Sequence, residues 1–314
     1  MIEVIVAKKQ LEAVGIYSFE LAREDGSPLP AFSAGAHIDV HLASGLTRQY
    51  SLCNSASENH RYQIAVLREP ASRGGSEQMH DVVSEGQRLT ISTPRNLFEL
   101  DNSAGHSLLF AGGIGITPIL CMAERLSHAG ASFDLYYSVR SEDRAAFVKR
   151  MKDSPFADRV HLCFDDQAPL DATKVLANPA EDTHLYVCGP GGYMEFVLST
   201  ARAQGWVEAK LHREYFSAGE QANAPGEAFE IEIASSGEVM RVEADQTIID
   251  VLYDAGIDVP VSCEQGVCGT CITRVLDGIP EHRDSFLTDA QRALNDQFTP
   301  CCSRAKSPRL ILDL

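Results

Sequence analysis

The chain has 314 residues, enough for two or three ordinary domains, and its 44% hydrophobic and 23% charged residues are the usual balance of a globular protein in water. A net charge of −17 argues against nucleic acid and against anionic membrane surfaces as partners. No stretch approaches the ~20 apolar residues of a membrane span. The start, Met1-Ile2-Glu3-Val4-Ile5-Val6, reads as a strand rather than a signal peptide, so a cytoplasmic location is expected. Residues 1 to 102 alternate apolar and polar in short runs, at Ile2–Ala7, His37–Leu42, Arg61–Leu67 and Arg88–Ser92, with Gly and Ser between them. That is the pattern of an antiparallel barrel. Near Ser107 the rhythm changes. An apolar run, Leu108-Leu109-Phe110-Ala111, enters Gly112-Gly113-Ile114-Gly115 and then a helix over Pro118–Leu126. A strand at Phe133–Ser138, a helix near Ala145–Met151 and strands at Val160–Phe164 and His184–Val187 complete a second domain, 103–216. Strands alternating with helices imply a parallel sheet. Residues 217–228 are small, polar and Pro/Gly-containing, and read as a linker. The third domain, 229–314, opens with a hairpin, Phe229–Ile233 and Val239–Val242, followed by a helix at Ile248–Ala255 and a cysteine cluster.

The acid is unevenly spread. Residues 227–314 hold 16 acids and 7 bases, a net of −9. Solubility accounts for such a face, and so does a docking surface. The nine cysteines are an odd count, which in a cytoplasmic protein points to metal or free thiols rather than a disulfide frame. The strongest signal is Cys263-x4-Cys268-x2-Cys271 with a fourth cysteine at Cys301, the spacing of plant-type 2Fe–2S ligation. Two irons bridged by two sulfides need four converging thiolates, and three within nine residues demand a loop wrapped around them. Gly266 and Gly269 let the backbone approach and aim N–H groups at sulfur. A structural zinc site would show paired C-x2-C knuckles, and only one is present.

Gly112-Gly113-Ile114-Gly115-Ile116-Thr117-Pro118 follows a strand and opens a helix, where a pyrophosphate can meet a positive helix end. Alone it is weak, since a tight strand–helix turn looks the same. It gains weight from Cys188-Gly189-Pro190-Gly191-Gly192 after a later strand of the same sheet, because such sheets bind ligands at their carboxyl edge. A third pattern, Arg48-Gln49-Tyr50-Ser51 with Arg73-Gly74-Gly75-Ser76 downstream, suits a flavin ring beside an aromatic and its phosphate at a helix start (Glu77 to Val83), though the first four residues alone also suit an ordinary strand end. After the strand ending at Ser138, Arg140 precedes acids, and Asp165-Asp166 follows the next strand. Carboxylates there would repel a 2′-phosphate and favour NADH, while Arg140 and Arg144 oppose that reading. No Cys-x-His pair occurs, so the chain has no Rieske centre of its own.

Segments such as RQYSLCN, ASRGGS, LLFAGGIGITPILCMAE, HLYVCGPGG, LHREYF and SCEQGVCGTC resemble the phthalate dioxygenase reductase family, within the ferredoxin reductase superfamily, over essentially the whole chain. The resemblance implies three parts: an antiparallel β-barrel flavin domain, an α/β parallel-sheet nucleotide domain and an α+β β-grasp ferredoxin domain. It implies FMN held by Arg48, Tyr50 and Ser51, with its phosphate at Gly74, Gly75 and Ser76, and NADH near Gly112, Gly113, Gly115, Gly189 and Pro190. It places Thr117 near the flavin ring, Cys188 beside the nicotinamide and Phe216 as the aromatic shielding the flavin. From the residues alone, Cys188 could equally be a buried small residue and Phe216 mere packing. The cluster ligands it implies are Cys263, Cys268, Cys271 and Cys301. The implied partner is the terminal Rieske-type oxygenase of a system acting on a methoxylated benzoate. A phthalate-like ring dioxygenase, a diffusible ferredoxin and a haem acceptor are the alternatives. A monomer is expected.

Overall fold

Alternating burial along Ile2–Ala13 (β1) starts an antiparallel sheet that continues through Ile16–Ala22 (β2), Ala36–His41 (β3), Thr47–Ser51 (β4), Tyr62–Leu67 (β5), Arg88–Ile91 (β6) and Arg95–Asn96 (β7). The order is β4-β3-β6-β1-β2-β5, with β7 on β3. A Leu52↔Ile64 bridge joins the two ends of that path and closes the barrel. Phe19, Leu21, Ile38, Leu52, Ile64 and Ile91 fill it. Three of these strands, β2, β4 and β7, go beyond the runs the sequence pattern singles out. A short helix, Gly75–Asp81 (α1), begins two residues earlier than expected, straight after Gly74 in the left-handed region at φ 88°. The Lys9 ammonium donates to the carbonyls of Met79 (3.3 Å), His80 (2.6 Å) and Val83 (2.7 Å) and so ties the end of α1 to β1.

The structure is a computed structural model and describes residues 1–70, 74–216 and 224–314. They form two compact units, Met1–Glu214 and Tyr215–Leu314. The first also holds His106–Gly112 (β8), Ile116–His128 (α2), Ser132–Val139 (β9), Val148–Lys152 (α3), Val160–Phe164 (β10), Ala172–Val175 (α4), Thr183–Cys188 (β11), Gly191–Ala203 (α5) and Leu211–Glu214 (β12). These strands form a wholly parallel sheet, β10-β9-β8-β11-β12. Its central strand β8 is the continuous apolar run a doubly covered strand requires. The helix expected near Ala145–Met151 starts only at Val148. Phe147 before it is left-handed at φ 60° with its ring in the core, and the Ala146 N–H is drawn off to the Tyr137 hydroxyl at 3.1 Å.

In the second unit Phe229–Ile233 (β13), Val239–Val242 (β14), Ile248–Asp254 (α6), Thr273–Asp277 (β15), Pro280–Glu281 (β16), Asp289–Leu294 (α7), Gln297–Phe298 (β17), Arg304–Ala305 (β18) and Arg309–Leu312 (β19) follow in order. The sheet β14-β13-β19-β15-β17 is mixed, parallel only at β13/β19. A reciprocal cap between Thr247 and Asp250 starts α6, which buries Ile248, Val251 and Leu252 in the core of this unit. Among the described residues no helix is long and apolar enough to cross a membrane.

Candidate redox site

Strand β4 pairs with β3 so that Arg48 faces Val40, Tyr50 faces Ile38 and Ser51 faces His37. The Arg48 guanidinium donates to the Thr47 carbonyl at 2.8 Å and its stem runs along Gly75, where a Cβ would stand 2.6 Å from Arg48 Cγ. The two sequence-distant parts of the flavin pattern therefore meet, β4 against the first turn of α1. Burial pushes the Tyr50 phenol above its ordinary value, with Arg48 opposing the shift. The Ser76 hydroxyl accepts from the Glu69 N–H at 3.1 Å. Arg73 lies outside the described residues.

The parallel register sets the second part. Cys188 lies beside Ala111 on one side and Glu214 on the other. The two Gly-bearing turns touch backbone to backbone. A Cβ on Gly115 would stand 2.2 Å from the Cys188 carbonyl oxygen, and one on Gly189 would stand 2.9 Å from Gly112 Cα. Pro190 precedes α5 as its N-cap, and a Cβ on Gly112 would meet Tyr193 at 2.6 Å. Gly113 takes φ 53°, which lets the turn pass directly into α2. The buried Thr117 hydroxyl donates to the Ile114 carbonyl at 3.1 Å and closes that turn. Arg140 is exposed just beyond β9, and exposed Asp165 and Asp166 follow β10, all at the same edge. Phe216 falls in the second unit and is 39% exposed.

Glu214 is the residue the sequence reading passes over. The Ser51 hydroxyl donates to Glu214 Oε2 at 3.3 Å, which brings the end of β4 to the end of β12. Desolvation pushes the Glu214 carboxyl up to about 8, against a smaller opposing effect of Ser51. Burial likewise holds Cys188 as a neutral thiol, its pKa well above the ordinary value, and Glu214 adds to that shift. The edge where both cofactor patterns converge thus carries a thiol and a carboxyl that keep their protons at neutral pH. The only local signal was its place in the LHREYF segment immediately after the last strand.

In the second unit the loop 263–271 takes three left-handed residues, Glu264, Gly266 and Gly269. A Cβ on Gly269 would stand 2.4 Å from the Phe286 ring and one on Gly266 2.4 Å from Cys302 Sγ. Cys263, Cys271 and Cys301 are buried, and Cys268 is half-buried. Cys268 and Cys301 both hydrogen-bond to Cys263, which pulls the Cys263 thiol down, and Cys271 is drawn down by Cys301. The Gln265 N–H donates to Cys263 Sγ at 3.3 Å and the Thr270 N–H to Cys268 Sγ at 3.5 Å. Among the described residues no three His, Cys, Asp or Glu side chains are arranged to hold a single metal ion. The thiols instead converge: Cys263 meets both Cys268 and Cys301, and Cys301 also meets Cys271. Two thiolates per iron, with backbone N–H groups on the sulfurs, is what a binuclear cluster takes. The four residues fit such a cluster. Cys302 is also buried and its thiol hydrogen-bonds to Cys301, but its sulfur packs on Gly266 and bonds the Thr299 hydroxyl at 3.3 Å.

Residues 231–306 match the family model of the 2Fe-2S iron-sulfur cluster binding domain. A solved structure described as phthalate dioxygenase reductase, "a modular structure for electron transfer from pyridine nucleotides to [2Fe-2S]", superposes with a TM-score of 0.81 at 38% identity and covers 100% of this chain and 98% of that one. The chain belongs to the phthalate dioxygenase reductase family, a class of iron–sulfur flavoprotein oxidoreductases. Within it, the chain is 58% identical to the vanillate O-demethylase oxidoreductase of Pseudomonas putida, with each covered over its whole length. It is 52% identical to the protein of the same description from Acinetobacter baylyi, covering 99% of this chain and 98% of that one.

Two outcomes are expected of this site. Cys302→Ser keeps the visible and EPR signature of the cluster and Cys301→Ser loses or distorts it, and the reverse pattern would exchange their roles. The second concerns Glu214. The folded protein holds its proton more tightly than the unfolded chain, whose carboxyl has the ordinary value of 4.5. Stability is therefore fullest below 4.5 and is lost as pH rises through about 8. Glu214→Gln removes that loss, so its denaturation midpoint should gain on the parent's between pH 5 and 9. A gap that stays constant across that range would show that the carboxyl is ionised throughout.

Proposed function

We propose that this chain is the NADH-dependent reductase component of a Rieske non-haem iron oxygenase system that demethylates vanillate or a close methoxybenzoate. The observation that carries the reading is the convergence of Ser51, Cys188 and Glu214 at one sheet edge in a chain that also gathers four thiols in a ferredoxin-like unit. Identity to vanillate O-demethylase oxidoreductases over the full length supports the choice of partner. Relatives described as a phenoxybenzoate dioxygenase subunit and a phthalate 4,5-dioxygenase reductase subunit support an oxygenase partner in general.

In this reading Arg48, Tyr50 and Ser51 hold an FMN, with its phosphate at Arg73, Gly74, Gly75 and Ser76. Gly112, Gly113, Gly115, Thr117, Arg140, Gly189 and Pro190 bind NADH. Cys263, Cys268, Cys271 and Cys301 ligate the cluster. When bound, these groups supply hydride acceptance and the division of an electron pair into single electrons. The chain does the rest. Gly112, Gly115 and Gly189 carry no side chain that would keep a dinucleotide from the sheet edge. Cys188 and Glu214 would present buried, neutral groups beside a bound nicotinamide. Phe216 is the aromatic that the family resemblance assigns to shielding the flavin. The protein works as a cytoplasmic monomer and meets its oxygenase through the acidic ferredoxin unit, where complementary charge speeds encounter and salt weakens it.

NADH should show the higher specificity constant, because Asp165 and Asp166 stand at the edge where a 2′-phosphate would sit. Comparable constants for NADPH would remove the assignment. Mixing the reductase, NADH and purified oxygenase should release formaldehyde from vanillate at low salt, with rates falling as salt rises. Absence of coupled demethylation at low salt would refute the vanillate partner, and salt-independent rates would refute the charged docking face.

A further inference from the structure

Arg150 lies on α3 and belongs to none of the three cofactor patterns. Its Nη1 donates to Gln63 Oε1 at 2.8 Å. Its Nε and Nη2 reach Glu124 Oε1 at 2.8 and 2.6 Å, and the guanidinium carbon stands 5.9 Å from the centre of the Phe147 ring. Gln63 is on barrel strand β5, Glu124 on α2, and Phe147 at the start of α3. One planar fork therefore joins the barrel to two helices of the parallel-sheet half. The side chains of Arg150 and Glu124 are only 27% and 18% exposed, so their bonds are partly shielded from competing water.

Both ends of this bridge lead to the redox edge. On the barrel side, the Gln63 carbonyl accepts from the Cys53 N–H at 2.8 Å and the Gln63 N–H donates to Asn54 Oδ1 at 2.8 Å. Cys53 is two residues beyond Ser51, which itself bonds Glu214. On the other side, Glu124 lies two turns along α2 from Thr117, and α2 runs on directly from the Gly113–Gly115 turn. Strand β5, which pairs with the segment just beyond the flavin pattern, and the helix carrying the dinucleotide turn are thus held by a shared side chain.

We propose that Arg150 is a positioning residue for hydride transfer, which sets the approach of the Gly112–Gly115 turn to strand β4 through Gln63 and Glu124 without touching either cofactor. The proposal rests on the flavin and nicotinamide placements given above. Transfer between two bound rings demands a reacting distance of about 3–3.5 Å, and a misplacement of about 1 Å can cost on the order of 10²-fold in rate. A bridge that fixes two halves of one unit acts on that distance and leaves binding to each half largely intact.

The test is stopped-flow reduction of the full-length holoprotein by NADH, with flavin content, cluster spectrum and NADH KM measured alongside. Arg150→Met keeps the aliphatic stem and removes the fork. It should slow the limiting rate of flavin reduction by roughly tenfold or more while KM stays within about twofold. Flavin stoichiometry and cluster spectrum should equal the parent's. Gln63→Leu cuts only the barrel end and should slow the same step, and the double variant should be no slower than Arg150→Met alone. Arg150→Lys, with one point donor in place of a fork, should lie between parent and Met variant. Reduction of Arg150→Met and Gln63→Leu at the parent rate overturns the proposal. So does a rate loss that merely tracks lost flavin. If NADH fails to reduce the parent's flavin, the hydride reading itself is refuted, a result visible without any variant.

Discussion

The whole redox edge depends on the near-contact of two backbone turns. Parallel pairing puts Cys188 beside Ala111, so the turns that leave β8 and β11 emerge side by side. They approach until a methyl group has no room, with the Cys188 carbonyl 2.2 Å from where a Gly115 Cβ would lie. Glycine at 112, 115 and 189 is thus required by the protein's own packing before any ligand is considered. The same closeness leaves the amides at the starts of α2 and α5 next to each other, a concave donor surface suited to a pyrophosphate. The apolar interior of β8 and β11 holds the turns in place, and the ligand surface is a consequence of how that core closes.

The ferredoxin unit obeys a related constraint with different geometry. Three left-handed residues within six positions fold the 263–271 loop back on itself. Phe286 and Cys302 fill the space that side chains at 269 and 266 would take. Cys302 then has a packing reason to be small, buried and sulfur-bearing, distinct from that of Cys301. Neighbours in sequence, they touch each other, yet one thiol meets Cys263 and Cys271 while the other packs on Gly266 and the Thr299 hydroxyl.

Legibility followed sequence distance. The four-cysteine spacing, the glycine turns and the continuous apolar run of β8 lie within short windows, and each was readable because its physics is local. Strand β4 escaped the pattern because Thr47-Arg48-Gln49-Tyr50-Ser51 has no apolar alternation. Only Tyr50 packs against the barrel core, while Arg48, Gln49 and Ser51 serve Gly75, Asp39 and Glu214. The α3 boundary was missed because Phe147 adopts a left-handed backbone to bury its ring, a tertiary demand that helix propensity does not register. Glu214 looks like any acid at a strand end until Ser51, 163 residues earlier, is seen to bond it. Arg150 is equally silent, since its partner Gln63 is 87 residues away.

These silent residues share a physical role. Cofactor-contacting groups must match a fixed chemical shape, so they recur as short motifs. Residues that fix the distance between two halves need only reach each other, and many side-chain pairs can do that. Ser51–Glu214 joins the ends of β4 and β12, and Arg150 joins β5 to α2 and α3. They tie the barrel to the parallel sheet at separate places, alongside the Val14 N–H to Asp143 carbonyl bond at 2.9 Å and the apolar core that Ala13, Ile16 and Ala65 share with Leu120 and Phe147. Ties at separate places resist relative rotation where a single tie leaves a pivot. A two-electron step needs that rigidity, because its donor and acceptor must sit in van der Waals contact. A one-electron step to the cluster is far less demanding in distance. In the proposed reading, the unit Met1–Glu214 gathers the barrel and sheet patterns that the two-electron step would need in close contact, and the unit Tyr215–Leu314 carries the four thiols.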